Sequence, residues 1–323
     1  HKKNLSIIKV GILGLGSIAK RHLDYLKRKS SQIEIYYLNF QNTKYNNSFL
    51  KNNFHGIFYN PKNIKKNFFD VIFICTPSSK HISDYLSLQK LSKNFFIEKP
   101  LGLNNRDHQR IRKFNNFYVA YVLNHKKIIK AALVYLNMKK EFITKVDIIC
   151  NSYLPNWRPK TNYKSGHTYN SELSGGILFE LSHEFEYAYN LFGNYQLKKH
   201  SFNSTNKIGK IIDKTKITCF SKKYNYEINF NLSLVSKKNV RICKVFFKNQ
   251  LLIIDLLKNK IFLSNNKNIK KTVVSFKDDD MYDNQIDFIL QKIINSKSLF
   301  EFNNYKSSNF TNNFLFNFKN SNI

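Results

Sequence analysis

Short apolar runs alternate with amphipathic segments along the first 120 or so residues of the chain. The runs are rich in β-branched and aromatic residues and too short for helices, which predicts buried strands. The predicted strands are residues 7–13, 32–40, 69–77 and 94–98. Between them, apolar residues recur at helical spacing and predict helices over residues 18–29 and 81–92. This alternation predicts a doubly wound parallel sheet, which we assign to residues 1–122.

The pattern changes after a last predicted strand at residues 117–123. Longer segments then alternate between apolar and polar residues with a period of two, which is typical of antiparallel strands with one face on a core. One helix is predicted over residues 176–192, closed by Gly193, and another over residues 281–296. We therefore expect residues 123–323 to form an α+β domain with a large, mainly antiparallel sheet.

Composition and charge narrow the classes of partner. The formal net charge of +32 would suit a polyanion, but the lysines are scattered and form no arginine-rich stripe, so we predict no nucleic-acid partner. The cysteines (Cys75, Cys150, Cys219 and Cys243) have neither zinc-site spacing nor the density of a secreted disulfide scaffold, which predicts reduced core residues in a cytoplasmic protein. Lys9 interrupts the first apolar stretch and no apolar run is long enough to span a bilayer, so no membrane segment is predicted.

Gly14 and Gly16 directly follow the first strand and precede the first helix. In a dinucleotide turn the first glycine permits the tight bend, the second lets a pyrophosphate approach the helix N-terminus, and Ala19 would hold the helix-packing position. A plain tight turn is the alternative, but the position between strand and helix favours a nucleotide site. The second strand ends at Asn39, where NAD enzymes often carry an acid, and Lys44 is nearby. The choice between NAD and NADP therefore stays open.

Two further strand ends carry candidate groups. Thr76 and Pro77 are predicted at the carboxyl edge of the sheet, where ligands of such folds bind, although a simple strand exit is the alternative. Neighbouring residues of a strand point to opposite faces, so Glu98 is not expected to be the direct partner of Lys99. An isolated lysine is usually solvated, but together with the glycine turn Lys99 becomes a candidate for polarising a substrate oxygen.

The predicted helix over residues 176–192 places Glu180, His183, Glu184 and Tyr187 on one face. Such a face is often only a solvated surface. A di-iron carboxylate site would need a second copy, and the sequence has no H-E-x-x-H motif, so we predict no metal. What remains is a histidine whose basicity nearby carboxylates can support, suited to accept a proton from an alcohol as hydride leaves its carbon.

The motifs GLGSIAKRH, FICTPSSKH, IEKPLG and GGILFELSHEFEYAYNLFG occur in this order. In this combination the chain resembles the glucose-fructose oxidoreductase / inositol dehydrogenase / rhizopine-catabolism family of NAD(P)-dependent oxidoreductases. By this resemblance Lys99 matches the catalytic lysine, His183 matches the acid/base histidine, and Glu180 falls near the usual aspartate, one residue closer to the histidine than in many members. Ser182 stands where the family commonly has glycine. The family's arginine is absent from the segment after the last predicted strand of the first domain, where this chain has Tyr121 and Asn124. The resemblance also implies a cis bond after Lys99 and a homodimer or homotetramer.

The same resemblance implies two sets of ligand-binding residues. NAD or NADP is expected at Gly14, Gly16, Ser17, Ile18, Asn39, Thr76, Pro77, His81, Glu98 and Lys99. A substrate is expected at Tyr121, Trp157, Arg158, Tyr163 and His183. For the loop that carries the tryptophan, a surface loop anchored by one aromatic ring is the alternative.

We therefore predict an NAD(P)-dependent dehydrogenase that acts on a carbinol or carbonyl carbon of a sugar, inositol or nucleotide sugar. One branch of the resembled family, often associated with cell-surface sugar metabolism, is similar to the chain over residues 153–176. A non-catalytic dinucleotide-binding regulator is the alternative, favoured by Ser182 and Asn124. The sequence fixes neither the sugar, nor the reacting carbon, nor the direction of the reaction.

Overall fold

The computed structural model describes residues 7–29, 32–103, 109–111, 116–157, 162–165, 169, 176–209, 211–265, 270–295 and 304–319. The described residues form two compact units. One comprises those up to Tyr121 together with those from Tyr282 onward, and the other comprises those of Val122–Met281.

The first unit contains a six-stranded parallel sheet. Its strands are β1 (Ile8–Leu13), β2 (Ile33–Leu38), β3 (Gly56–Phe58), β4 (Val71–Ile74), β5 (Phe95–Ile97) and β6 (Phe117–Val119). They are ordered β3-β2-β1-β4-β5-β6, and every neighbouring pair is parallel. All four side chains of β4 are fully buried, as expected for a central strand covered on both faces. The predicted doubly wound parallel sheet is confirmed.

Several helices connect the strands of this sheet. They are α1 (Ser17–Lys29), α2 (Asn47–Asn53) and α3 (His81–Ser87). The sequence pattern did not predict α2, because the segment is polar and Leu50 is its one buried residue. The Asn46 side chain accepts a hydrogen bond from the Phe49 N–H (3.1 Å) and caps this helix. Helix α3 ends at Ser87, earlier than predicted.

The last two helices belong to the first unit. They are α7 (Met281–Ile294) and α8 (Tyr305–Lys319). Ile286, Ile289 and Leu290 of α7 pack into the same apolar cluster as β1 and α1. Asn304, just before α8, accepts a hydrogen bond from the Val119 N–H of β6 (2.9 Å). The prediction that residues 123–323 form one domain is therefore corrected: the helical pattern predicted α7, but not the sheet that it covers.

The second unit contains an eight-stranded sheet. Its strands are β7 (Ile143–Tyr153), β8 (Gln196–Asn203), β9 (Lys214–Ser221), β10 (Tyr226–Ser233), β11 (Val235–Phe247), β12 (Gln250–Asp255), β13 (Lys260–Asn265) and β14 (Lys270–Ser275). Their order is β14-β13-β12-β11-β7-β10-β9-β8. All neighbours are antiparallel except β7 and β10, which confirms the predicted mainly antiparallel sheet. Its helices are α4 (Lys127–Asn137), α5 (Gly176–Glu180) and α6 (Ser182–Phe192).

Other expectations concern cysteines, membranes and metals. All four cysteines are free and buried, as predicted for core residues. Among the described residues, no helix has the length and apolar character needed to cross a membrane. Within the same residues, no group of three or more histidine, cysteine and acidic side chains is arranged to hold a metal ion.

Candidate active site

The turn between β1 and α1 has the geometry of an anion site. Gly14 has φ +82°, and a Cβ on it would lie 2.8 Å from the Cys75 carbonyl oxygen, so the turn closes tightly against the end of β4. A Cβ on Gly16 would meet nothing within 4 Å. The first turn of α1, beginning at Ser17 and Ile18, contains no acidic residue, and the leading N–H groups of a helix lack intrahelical acceptors. These residues fit the pyrophosphate of a dinucleotide.

The end of β2 is shaped by Asn39. Its side-chain amide donates to the Thr43 carbonyl oxygen (3.0 Å), and its side-chain oxygen accepts from the Thr43 N–H (2.9 Å). Asn39 is only 4% exposed, so its side chain orders the following loop instead of facing outward. Residues 41–44 of that loop are exposed, contain no acid and end in Lys44. The carboxylate that many NAD enzymes offer to the ribose is therefore missing from this loop.

The end of β4 is held by α3. The Thr76 hydroxyl donates to the Asp84 carboxylate (2.6 Å), and Pro77 is exposed. His81 is 1% exposed; its Nδ1 lies 2.8 Å from the Pro100 carbonyl oxygen and its Nε2 lies 2.8 Å from the Thr76 carbonyl oxygen. Burial lowers the pKa of His81, although the two carbonyl oxygens act in the opposite direction. His81, predicted as a cofactor residue, therefore links two strand ends from inside the unit.

Glu98 and Lys99 follow β5, the neighbour of β4. One carboxylate oxygen of Glu98 lies 2.6 Å from Nε2 of His22, which is fully buried in α1. The other accepts a hydrogen bond from the Lys99 backbone N–H (3.2 Å). Lys99 itself is half-buried, and the Lys99–Pro100 peptide bond is cis, as predicted. Like Asn39, Glu98 uses its side chain within the fold.

In the second unit, the predicted helix over residues 176–192 is two helices that meet at Leu181. Glu180 and His183 are half-buried, whereas Glu184 and Tyr187 are completely buried. The alternative interpretation, a solvated surface, therefore does not apply to Glu184 and Tyr187. Only Glu180 and His183 retain exposed surface there.

Glu184 is bound by an arginine on β11. Its carboxylate accepts from Nε (2.6 Å) and Nη2 (3.0 Å) of Arg241. Burial lowers the pKa of Arg241, but the charge of Glu184 outweighs burial and raises that pKa above its ordinary value, so the guanidinium remains charged. Both carboxylate oxygens of Glu184 therefore bond to Arg241. Of the carboxylates expected to support His183, Glu180 is the remaining candidate.

The predicted substrate residues differ in position. Tyr121 is fully buried in an apolar cluster of the first unit, which leaves it no surface for a ligand and corrects the expectation. Trp157 is 39% exposed, and the half-buried Tyr163 lies 6.0 Å from the Tyr169 ring. Arg158 lies outside the described residues.

Sequence reasoning missed the roles of His22 and Arg241. A signal existed for His22, because it shares the helical spacing of the apolar residues in α1. The sequence contains no comparable signal for Arg241, because this arginine lies in a strand of alternating polar and apolar residues, 57 residues away from Glu184.

The chain is similar to one protein-family model and to several solved structures. The model of an oxidoreductase family with an NAD-binding Rossmann fold (GFO_IDH_MocA) matches residues 8–116. UDP-N-acetylglucosamine 3-dehydrogenase GnnA from Acidithiobacillus ferrooxidans has a TM-score of 0.72 at 12% identity, over 96% of both chains. A levoglucosan dehydrogenase, solved with NADH and levoglucosan, has a TM-score of 0.75 at 12% identity, also over 96% of both chains.

A third solved structure of similar fold contains a ligand that is not a sugar. Biliverdin reductase from Synechocystis sp. PCC 6803, in complex with biliverdin and NADP+, has a TM-score of 0.72 at 15% identity, over 95% of this chain and 96% of that one. A comparison with curated proteins gives no match. At such identities the structural likeness shows the fold alone.

Proposed function

We propose that this chain, whose residues 8–116 match the model of an oxidoreductase family with an NAD-binding Rossmann fold, is an NAD(P)-dependent dehydrogenase that acts on a sugar, an inositol or a nucleotide sugar. Hydride passes between the nicotinamide cofactor and a carbinol or carbonyl carbon of that substrate.

The observation that carries the proposal is the shared position of three strand ends in the first unit. β1, β4 and β5 are adjacent and parallel, so the open glycine turn, Thr76 and Lys99 follow their carboxyl ends at one edge of the sheet. Ligands of doubly wound sheets bind at that edge. A phosphate-binding turn and a half-buried lysine at the same edge suit a dinucleotide and a substrate oxygen.

The residue roles follow from the chemistry of alcohol oxidation. A nicotinamide cofactor held at the turn of Gly14 and Gly16 would supply the acceptor for the hydride of the carbinol carbon. His183 accepts the hydroxyl proton, and Glu180 assists it. Lys99, as ammonium, hydrogen-bonds the oxygen that gains negative charge as the C–H and O–H bonds break. In the reverse direction His183 returns the proton to the carbonyl oxygen.

The substrate class is supported by two structural neighbours. Their names state that one acts on UDP-N-acetylglucosamine and that the other was solved with levoglucosan, which are both carbohydrates. Trp157 offers a partly exposed aromatic face of the kind that packs on sugar rings. Biliverdin reductase has the same fold and a different substrate, so a screen should include non-sugar carbonyl compounds.

The first experiment is calorimetric titration with NAD, NADH, NADP and NADPH at low and moderate salt, with inorganic pyrophosphate as the control. A net charge of +32 attracts any phosphate, so only salt-resistant binding that exceeds pyrophosphate binding supports the proposal. The missing acid in the loop after β2 and the presence of Lys44 favour the NADP pair. Binding that disappears with salt would refute the cofactor site.

The second experiment is a substrate screen with two variants. Lys99→Met and His183→Asn should each lower turnover about a hundredfold or more, because each removes a group that acts on the reacting oxygen. Lys62→Met, at an exposed lysine of the first unit, is the matched control and should retain full turnover. Full activity of Lys99→Met or His183→Asn would overturn the assigned roles.

A dinucleotide-binding regulator is the second candidate. It is favoured by the completely buried Ser182, in a position where the family commonly has glycine, and by Asn124, which accepts a hydrogen bond from the Asn190 side chain (3.0 Å). Salt-resistant nucleotide binding without turnover of any sugar, inositol or nucleotide sugar would favour this candidate.

A cytoplasmic location and a homodimer or homotetramer belong to the same proposal. Four unpaired cysteines suit a reducing compartment. The assembly follows from the family resemblance, and light scattering of the purified chain measures it directly.

A further inference from the structure

Two buried histidines hold the segment that carries Lys99. His22 approaches it from α1 and His81 from α3, and both helices belong to the first unit. Neither ring has exposed surface for a ligand, since His22 is 0% and His81 is 1% exposed. Their side chains therefore act on the protein itself.

His22 reaches the lysine through Glu98. Its Nε2 lies 2.6 Å from one carboxylate oxygen of Glu98, and the second carboxylate oxygen accepts from the Lys99 backbone N–H at 3.2 Å. The imidazole packs edge-on against Phe73 and Phe96, with ring centroids 5.6 and 5.2 Å away. These rings restrict the orientation of the histidine, which in turn restricts the carboxylate.

His81 reaches the other side of the lysine through Pro100. Its Nδ1 lies 2.8 Å from the Pro100 carbonyl oxygen, and its Nε2 lies 2.8 Å from the Thr76 carbonyl oxygen. The ring lies between the chain after Lys99 and the chain after β4, and in its neutral form its single N–H is donated to one of these two carbonyl oxygens. The backbone on both sides of Lys99 is held by a buried imidazole.

Stability alone gives little reason for this arrangement. Replacing a buried polar pair by apolar residues of similar size is often neutral or stabilising, so such pairs contribute weakly to the folding free energy. They do restrict geometry, and partners behind a reacting residue commonly set its orientation.

We propose that His22 and His81 are positioning residues for Lys99: His22 acts through Glu98, His81 acts through Pro100 and Thr76, and together they fix the backbone from which the ammonium group extends. The inference rests on the proposed role of Lys99 in the reaction. It adds two residues, from two helices, that touch no substrate.

The test measures Lys99 directly and needs no substrate. Wild type, His22→Leu and His22→Gln are labelled with trace acetic anhydride, and mass spectrometry gives the acetylation rate of Lys99 relative to that of the exposed Lys62. Leucine removes the hydrogen bond to Glu98, whereas the glutamine amide can still donate to it. The Lys99 to Lys62 ratio should change severalfold in His22→Leu and return toward the wild-type value in His22→Gln.

Melting temperatures measured on the same samples separate positioning from support of the fold. A lower melting temperature in His22→Leu with an unchanged labelling ratio would overturn the proposal, because the histidine would then only stabilise the unit. If His22→Leu does not fold, the labelling ratio is measured on His81→Leu, which removes the contacts of His81 with Pro100 and Thr76. An unchanged ratio in that variant also overturns the proposal.

Turnover supplies an independent readout once a substrate is known. His22→Leu should lower kcat about a hundredfold, because small displacements of a reacting group are costly, while calorimetric affinity for the nucleotide stays unchanged. Loss of nucleotide affinity in parallel with kcat would contradict a role confined to Lys99. The proposed function fails separately, through full turnover of Lys99→Met, so the two failures are distinguishable.

Discussion

Glu184→Gln is the substitution whose effect the structure defines most directly. Glu184 is completely buried in α6 and receives two hydrogen bonds from Arg241, at 2.6 and 3.0 Å. Glutamine keeps the shape of the side chain and removes its charge. The guanidinium of Arg241, whose side chain is 21% exposed, would then stay charged without its counter-ion.

The size of the effect follows from that uncompensated charge. Breaking a buried ion pair by removing one partner typically costs about 3–5 kcal/mol of unfolding free energy. The glutamine oxygen can still accept one bond from Arg241, so we expect the lower end, about 3 kcal/mol. Removing both charges, in Glu184→Leu with Arg241→Met, should recover much of that loss, because no charge is left buried.

Urea unfolding followed by the fluorescence of Trp157 is the assay. Trp157 is the chain's one tryptophan and lies in the same unit as the ion pair. Glu227→Gln is the matched control: it breaks a pair with Lys198 of similar length (2.7 Å) whose side chains are 57% and 40% exposed, and it should cost at most about 1 kcal/mol.

Two outcomes would refute this reasoning. Equal small losses in Glu184→Gln and Glu227→Gln would mean that the carboxylate of Glu184 is not desolvated with Arg241. A double variant no more stable than Glu184→Gln would mean that packing, and not the unpaired guanidinium, determines the loss. The first result would return Glu184 to the candidates for supporting His183.

Three further substitutions each test a single residue. Burial, together with the charge of Lys130, lowers the pKa of His125 from 6.5 to about 3. The unfolded chain therefore binds a proton below pH 6.5 that the native fold does not bind, and lowering the pH from 7 to 5 should cost about 2 kcal/mol of unfolding free energy. His125→Gln should lack this part of the pH dependence, and identical urea-unfolding profiles of both proteins would contradict it. Gly14→Ala should lower the melting temperature, because φ is +82° and the Cys75 carbonyl oxygen would lie 2.8 Å from the new Cβ. Gly16→Ala should leave the melting temperature unchanged and weaken nucleotide binding in calorimetry, and wild-type affinity would argue against a pyrophosphate at this turn.

Local patterns were sufficient to predict the strand, the glycine turn and the helix around Gly14 and Gly16. A buried strand, two glycines and an amphipathic helix are consecutive in the sequence, so their geometry depends on neighbouring residues. The turn at Gly14 and Gly16 has the predicted form for this reason. The same pattern could not show that the Asn39 side chain would bond to Thr43, because a buried and an exposed asparagine are identical in sequence.

Partners distant in sequence explain the remaining errors. Glu184 directly follows His183 in the sequence, but whether its carboxylate faces water or a cation depends on a strand that begins more than 50 residues later. His22 and Glu98 are 76 residues apart, and only the fold brings them together. A histidine within the apolar stripe of α1 nevertheless implies a buried acceptor, because a buried imidazole N–H needs one. Glu98, which follows β5 of the parallel sheet, supplies that acceptor. Its second carboxylate oxygen accepts from the Lys99 backbone N–H, so the same side chain also positions Lys99.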